Sequence, residues 1–187
     1  MGGLTVKALI VVADNFEDSH LLVPLYWLQE EGIKVDIAAR NKGLFRGTRG
    51  HEVEVRKSIY DVRPDDYSAL VLTGSRFQKA APNRLLDMLR YFVEKDKIVA
   101  AMCEGLQTLI SAGVLRGRRA VWHESVIITE LMSAGLLYEF RDIVIDGKIV
   151  TCRRSAGLPV FAKTLIGLIA NEKWYYTMED VLAPCMN

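Results

Sequence analysis

A single cysteine stands where an apolar run becomes a helical pattern: residues 98–113 read IVAAMCEGLQTLISAG, with Cys103 at the junction and Gly105 two positions on. That order is strand, nucleophile, sharp turn, helix, the logic of a nucleophile elbow. A sulfur at a helix N-terminus meets the positive end of the dipole and unpaired backbone N–H groups. Both favour the thiolate and predict a pKa below the roughly 8.5 of a free cysteine. The competing reading is a buried, inert thiol, a common fate of this residue type. Cys152, inside a β-type run, and Cys185, near the C-terminus, read as structural. Three cysteines with no CxxC spacing and no nearby histidine pair argue against a disulfide framework and a zinc site, so neither metal nor cofactor is expected.

Few other side chains offer acid–base chemistry. Glu17 and Asp18, in the NFEDS segment, read first as caps of the helix that follows. If Glu17 touches Cys103 instead, carboxylate and thiolate repel unless they share a proton, with Glu17 donating to sulfur. Of three histidines, His20 reads as a surface or interface residue of the first helix and His51, in GTRGHEVEV, as solvated. His123, in RRAVWHESV, reads as a loop residue capping the next helix, or as an acid–base group for the thiol. Arg153 reads as a surface ion-pair residue.

The elements that must position these residues alternate in type. Almost continuous apolar runs at 6–13, 34–39, 68–74 and 97–102 suit strands covered on both faces. Between them, 18–32, 84–97 and 104–113 carry apolar residues at helical spacing, the first and last ending at glycines. Residues 47–59 are polar and alternating, an expected loop or edge hairpin, and 124–135 look helical. Asp146-Gly147 sits between two β-runs at 141–153 as a hairpin signal, and 158–172 is an apolar helix with Pro159 in its first turn. The aromatic segment 172–187 reads as a tail that packs on the body or on a partner. Alternation of this kind predicts an open, mostly parallel sheet with helices on both faces, a flavodoxin-like three-layer sandwich. Ligands then gather at the carboxyl ends of the strands, where Cys103 falls.

With 187 residues and no internal repeat, the chain 1–187 reads as one domain able to bury a core. Lys plus Arg number 24 and Asp plus Glu 23, a net charge of +1 that gives no electrostatic case for nucleic acid or an anionic membrane. No apolar stretch approaches the roughly 18 residues of a membrane span, and the N-terminus lacks a cleavage-site pattern, so a cytoplasmic protein is expected.

Several stretches together resemble the PfpI family, which includes intracellular peptidases, the Parkinson-disease protein deglycase and related chaperones. They are DNFEDSHLLVPLYWLQEEG, SALVLTGSR, IVAAMCEGLQTLISAGVLRGRRA, and VIDGKIVTCR followed by LPVFAKTL, covering about residues 6–168. The resemblance implies that Cys103 is the reactive residue, that Glu17 faces it, and that backbone N–H groups at Gly74 and Ser75 form an oxyanion site. It also places His123 near the thiol and Arg153 near the site and a subunit contact. Two departures stand out. Peptidase-type members carry His directly after the cysteine, where this chain has Glu104, and the third-strand PGG reads TGS here.

The resemblance implies a cysteine-dependent enzyme on carbonyl substrates, either glyoxalase or deglycase chemistry on small aldehydes or peptide hydrolysis. Both develop negative charge on a former carbonyl oxygen. The alternative is a redox-sensing or chaperone-like stress protein in which Cys103 is oxidised. The class I glutamine amidotransferases, which also use a cysteine elbow, need a later His-x-Glu pair, and no histidine follows His123. Self-association is implied, with the VPLYW face of the first helix as a contributor. The expected partners are thus a second copy and a small carbonyl compound or peptide.

Overall fold

The computed structural model describes residues 6–74, 81–124, 126 and 128–170. Its frame is a seven-stranded sheet built from β1 (Lys7–Val11), β2 (Lys34–Ala39), β5 (Lys57–Ser58), β6 (Ala69–Leu72), β7 (Ile98–Met102), β10 (Ile143–Asp146) and β11 (Ile149–Cys152). The spatial order is β10-β11-β7-β6-β1-β2-β5, and every neighbouring pair is parallel except β10 with β11. Parallel pairing requires crossovers, and the sequence pattern predicts the helices that serve in them, α1 (Asp18–Glu30), α2 (Asn83–Glu94) and α3 (Gly105–Ala112); the predicted α5 (Leu158–Ile169) follows the last strand and covers the sheet.

Alternation along each strand sends successive side chains to opposite faces. Leu9 and Val11 of β1 join Leu70, Leu72, Val99 and Ala101 against Leu85, Leu89 and Phe92 of α2 and Leu106 and Leu109 of α3. Ala8 and Ile10 join Val71, Ala100 and Met102 against Leu21 and Leu28 of α1 and Phe161 and Leu165 of α5. The result is the expected three-layer sandwich, with two apolar cores flanking one sheet.

The polar segment after β2 forms its own antiparallel hairpin, β3 (Gly43–Arg46) with β4 (Glu52–Val55). It folds back over the end of β1, where Asn15 N–H donates to Arg46 O at 3.1 Å and Thr48 N–H to Phe16 O at 2.9 Å. The Asp146-Gly147 hairpin is present, with Gly147 at φ 60°. A small parallel pair, β8 (Arg119–Val121) with β9 (Leu137–Glu139), lies beyond it, joined by α4 (Ile128–Ser133), which starts later than the pattern predicts. The expected tail, 172–187, lies outside the described residues, as does Cys185. Among the described residues no helix is long and apolar enough to cross a membrane.

Candidate active site

The chain leaves β1 for β2 on one side and later returns to β6 on the other, so the strand order reverses between β1 and β6. A crevice opens at the carboxyl ends of the strands at such a reversal. The turns after β1, β6 and β7 supply its residues: Asp14, Asn15 and Glu17, then Gly74, then Cys103 and Glu104.

Cys103 occupies a left-handed backbone conformation, φ 47°, that a side chain with a Cβ adopts only under constraint. Its N–H donates to Cys152 O at 2.8 Å, anchoring the turn to β11, and its carbonyl accepts from Leu106 N–H at 3.1 Å to start α3. Gly105 lets the helix close down on the sheet: a Cβ there would lie 3.3 Å from Leu72 Cβ and 3.4 Å from Ala101 Cβ. The elbow is formed as the sequence pattern implies.

The imidazole against the sulfur belongs to His20, whose sequence context predicts a surface or interface residue. It is 2% exposed, and its Nε2 lies 3.5 Å from Cys103 Sγ and 3.3 Å from Ser155 Oγ. The backbone N–H of Gly74 donates to His20 Nδ1 at 3.1 Å. A backbone amide can only donate, so Nδ1 is the acceptor and the proton sits on Nε2. Burial lowers the His20 pKa below its ordinary value; the nearby Glu17 and Glu104 oppose this without reversing it, and His123 reinforces it. His20 is therefore a neutral donor to the sulfur. Its place could have been read from the helix face: His20, Pro24 and Leu28 recur every four residues and all are buried.

Two expectations change in consequence. The Gly74 N–H is engaged by His20, so it is not the open oxyanion donor the family pattern suggests; Ser75 lies outside the described residues. Gly74 must be glycine because the ring packs onto it: a Cβ would lie 2.4 Å from His20 Nδ1. Glu17 lines the cavity, but its carboxylate accepts from Ser19 Oγ (3.3 Å), Thr48 Oγ1 (2.9 Å) and Arg49 Nε (3.1 Å). The sulfur makes its hydrogen bonds to His20 and to Arg153 O, 3.2 Å away, and shares no proton with Glu17. The β3–β4 turn supplies two of those competing donors, and no motif in that polar segment signals that it reaches the site.

The thiol is also not acidified. At 8% exposure, burial pushes Cys103 up to about 12, with Cys152 and the carboxylates of Glu104, Glu17 and Glu124 adding to the effect. The resting group is an S–H donating to Arg153 O, and desolvation together with negative neighbours outweighs the helix dipole.

His123 comes to the site as the family pattern implies. It is 7% exposed, and Cys103, Glu104 and His123 present donor atoms within 4.8 Å of one another. Glu104 precedes α3 without capping it and makes no side-chain hydrogen bond or ion pair among the described residues. The cavity measures about 550 Å³ and holds four carboxylates, Asp14, Glu17, Glu104 and Glu124, beside the thiol and two imidazoles. A smaller hollow of about 270 Å³ shares Cys103 and His123 and is flanked by Arg153. The Arg153 guanidinium lies over the Trp122 ring at 4.8 Å rather than in a surface ion pair, while Arg154 pairs with Asp142 at 2.7 Å.

Residues 6–168 match the model of the DJ-1/PfpI family. The chain is 35% identical over 170 residues to Deglycase PfpI of Pyrococcus furiosus, covering 88% of this chain and 99% of that one. It is 32% identical over 171 residues to Protein/nucleic acid deglycase 2 of Escherichia coli, covering 89% and 99%. The fold is that of Drosophila melanogaster DJ-1beta, with a TM-score of 0.81 at 21% identity over 97% of this chain and 98% of that one. The matched span contains the elbow, the three-strand crevice and both imidazoles, and this chain belongs to the DJ-1/PfpI family.

Proposed function

We propose that this protein is a cysteine-dependent enzyme acting on small carbonyl compounds, of glyoxalase or deglycase type, with Cys103 as nucleophile. The observation that carries the reading is a strained elbow thiol at an acidic cavity, in contact with the Nε2–H of His20 and with the imidazole of His123 within 4.8 Å. The names of the relatives support the substrate class.

A protonated thiol suits addition to an aldehyde. The sulfur bonds to the aldehyde carbon as its proton passes to His123 and on to the carbonyl oxygen, leaving a neutral hemithioacetal. The Nε2–H of His20 stabilises charge on sulfur while the S–H bond breaks. With methylglyoxal, Glu17 moves a proton from carbon 1 to carbon 2 while the hydroxyl proton on the carbon 1 oxygen passes to the carbon 2 oxygen, giving a lactoyl thioester. Water then releases lactate and restores the thiol. Thr48 and Arg49 hold the Glu17 carboxylate for that transfer.

Methylglyoxal loss and lactate formation by purified protein test the reading. Cys103→Ala is expected to abolish both, and His123→Ala to lower turnover by about 10²-fold, the worth of a positioned acid–base group. Turnover by Cys103→Ala at the wild-type rate would overturn it. Peptide hydrolysis fits less well, because amide cleavage must protonate a leaving amine and Glu104 stands where peptidase-type members carry histidine. Fluorogenic peptides are expected to be cleaved slowly by wild type and faster by Glu104→His.

Self-association in the cytoplasm completes the proposal. The VPLYW face contributes little to it, since Leu28 is in the core and Lys163 covers the Trp27 ring, leaving Tyr26 exposed. Exposed Met132, Leu137 and Phe140, on α4 and at β9, offer a better surface. Light scattering of wild type and Phe140→Glu tests this: loss of the oligomer in the variant supports that surface.

A further inference from the structure

We infer that Cys103, Glu104 and His123 bind a thiophilic divalent cation of the zinc class. Spacing along the chain hides this set, because His123 lies twenty positions beyond Cys103 and is brought to it by the turn after β8. The three donor atoms lie within 4.8 Å of one another. A tetrahedral zinc shell, with bonds of about 2.0–2.3 Å, separates its ligands by roughly 3.3–3.8 Å. Side-chain rotations on the order of one ångström close that difference.

The chemistry of the donors selects the cation. Sulfur, imidazole nitrogen and one carboxylate oxygen suit zinc and its late first-row neighbours and disfavour magnesium and calcium, which take oxygen shells. As the metal–sulfur bond forms, the Cys103 S–H proton leaves to solvent. Thiolate and carboxylate then balance the dication.

Two further observations point the same way. Glu104 makes no side-chain hydrogen bond or ion pair among the described residues, although it stands at a helix start where a carboxylate could cap. Asp14, Glu17 and Glu124 add negative charge to the cavity wall; of the nearby cations Arg49 is paired with Glu17 and Arg154 with Asp142, and Arg153 flanks the smaller hollow, so carboxylates stay in excess around the three donors. His20 is excluded as a fourth ligand: metal on Nε2 would put the ring's one N–H proton on Nδ1, against the Gly74 N–H. The fourth position therefore stays open to water or a small oxygen ligand. On the catalytic reading above, occupancy and thiol addition exclude one another, so the cation inhibits; binding itself does not depend on that reading.

The test is titration of the metal-free full chain, without substrate, with Co(II) followed by absorbance and with Zn(II) followed by calorimetry. One equivalent of each is expected, with a sulfur-to-cobalt charge-transfer band and the intense visible bands of tetrahedral cobalt. Cys103→Ser is expected to remove the charge-transfer band. Glu104→Gln and His123→Ala are each expected to weaken zinc by about 10-fold or more, at least the effect of losing an outer-shell partner. Cys185→Ser is expected to bind as wild type, and excess Mg(II) to displace nothing. The inference is overturned if wild type binds no Co(II) or Zn(II), if Cys103→Ser keeps the band, or if Cys185→Ser abolishes it. Because the wild-type spectrum is itself decisive, a variant that folds poorly does not shelter the inference. Far-UV circular dichroism identifies such a variant.

Discussion

His20 Nδ1 accepts from the Gly74 amide, and this one contact makes the ring a donor to sulfur instead of a base. His20→Ala is expected to lower methylglyoxal turnover by about 10²-fold through kcat, with KM little changed, because the donor acts as charge develops on sulfur. Burial holds the His20 pKa down, so the ring stays neutral to a lower pH than a free imidazole. Loss of activity on acidification through His20 protonation is therefore expected only below about pH 6.5. NMR titration of the ring, in parallel with the rate profile, checks this; a ring that protonates above 6.5 contradicts it. For Cys103 the expected alkylation profile differs from that of an activated thiol. With its pKa pushed up to about 12, the iodoacetamide rate should keep rising beyond pH 9 and show no plateau near neutrality. Peptide mass after timed labelling measures it.

At the scale of elements, the site is held by contacts between segments distant in sequence. Helix α1 presents His20 inward; Pro24, lacking an N–H, removes the helical bond to the His20 carbonyl in the same turn. The β3–β4 turn is pinned by Asp18, which accepts from Arg49 N–H at 2.8 Å and His51 N–H at 2.7 Å. From there Thr48 and Arg49 reach Glu17. The turn after β6 limits how close α1 approaches: a Cβ on Gly74 would meet His20 Nδ1 at 2.4 Å and Cε1 at 2.6 Å. Gly74→Ala is thus expected to displace the ring and reproduce the His20→Ala defect. The double variant should be no worse than either single one, since both remove the same hydrogen bond. Additive losses in kcat would show that Gly74 acts by another route.

Over the whole molecule, the sheet buries both described thiols at the ends of adjacent strands. Cys152, in β11, is pushed up to about 12 chiefly by burial, as Cys103 is. Between about pH 8.5 and 12 the native state keeps thiol protons that the unfolded chain releases. Their contribution to stability is full below about pH 8.5 and is lost as pH rises toward 12. The urea midpoint is expected to fall between pH 7.5 and pH 10.5, and Cys103→Ala to flatten part of that slope. A midpoint unchanged across this range would contradict the burial of protonated thiols.

Composition and periodicity were enough for the three-layer architecture, because strands covered on both faces must be apolar throughout and crossover helices must be amphipathic. The elbow was legible at Cys103 and Gly105, since a strand-to-helix turn constrains adjacent residues. So was the family, through motifs spread from residue 6 to 168. Chemistry at the sulfur was not legible, because it depends on which groups approach from elsewhere. Only the tertiary structure turned His20 inward, engaged the Gly74 N–H with its ring and drew Glu17 toward Thr48 and Arg49. It also decided the sign of the thiol's pKa shift. A helix dipole can be read from local sequence, whereas desolvation and the fields of distant carboxylates arise only when the chain closes around the sulfur.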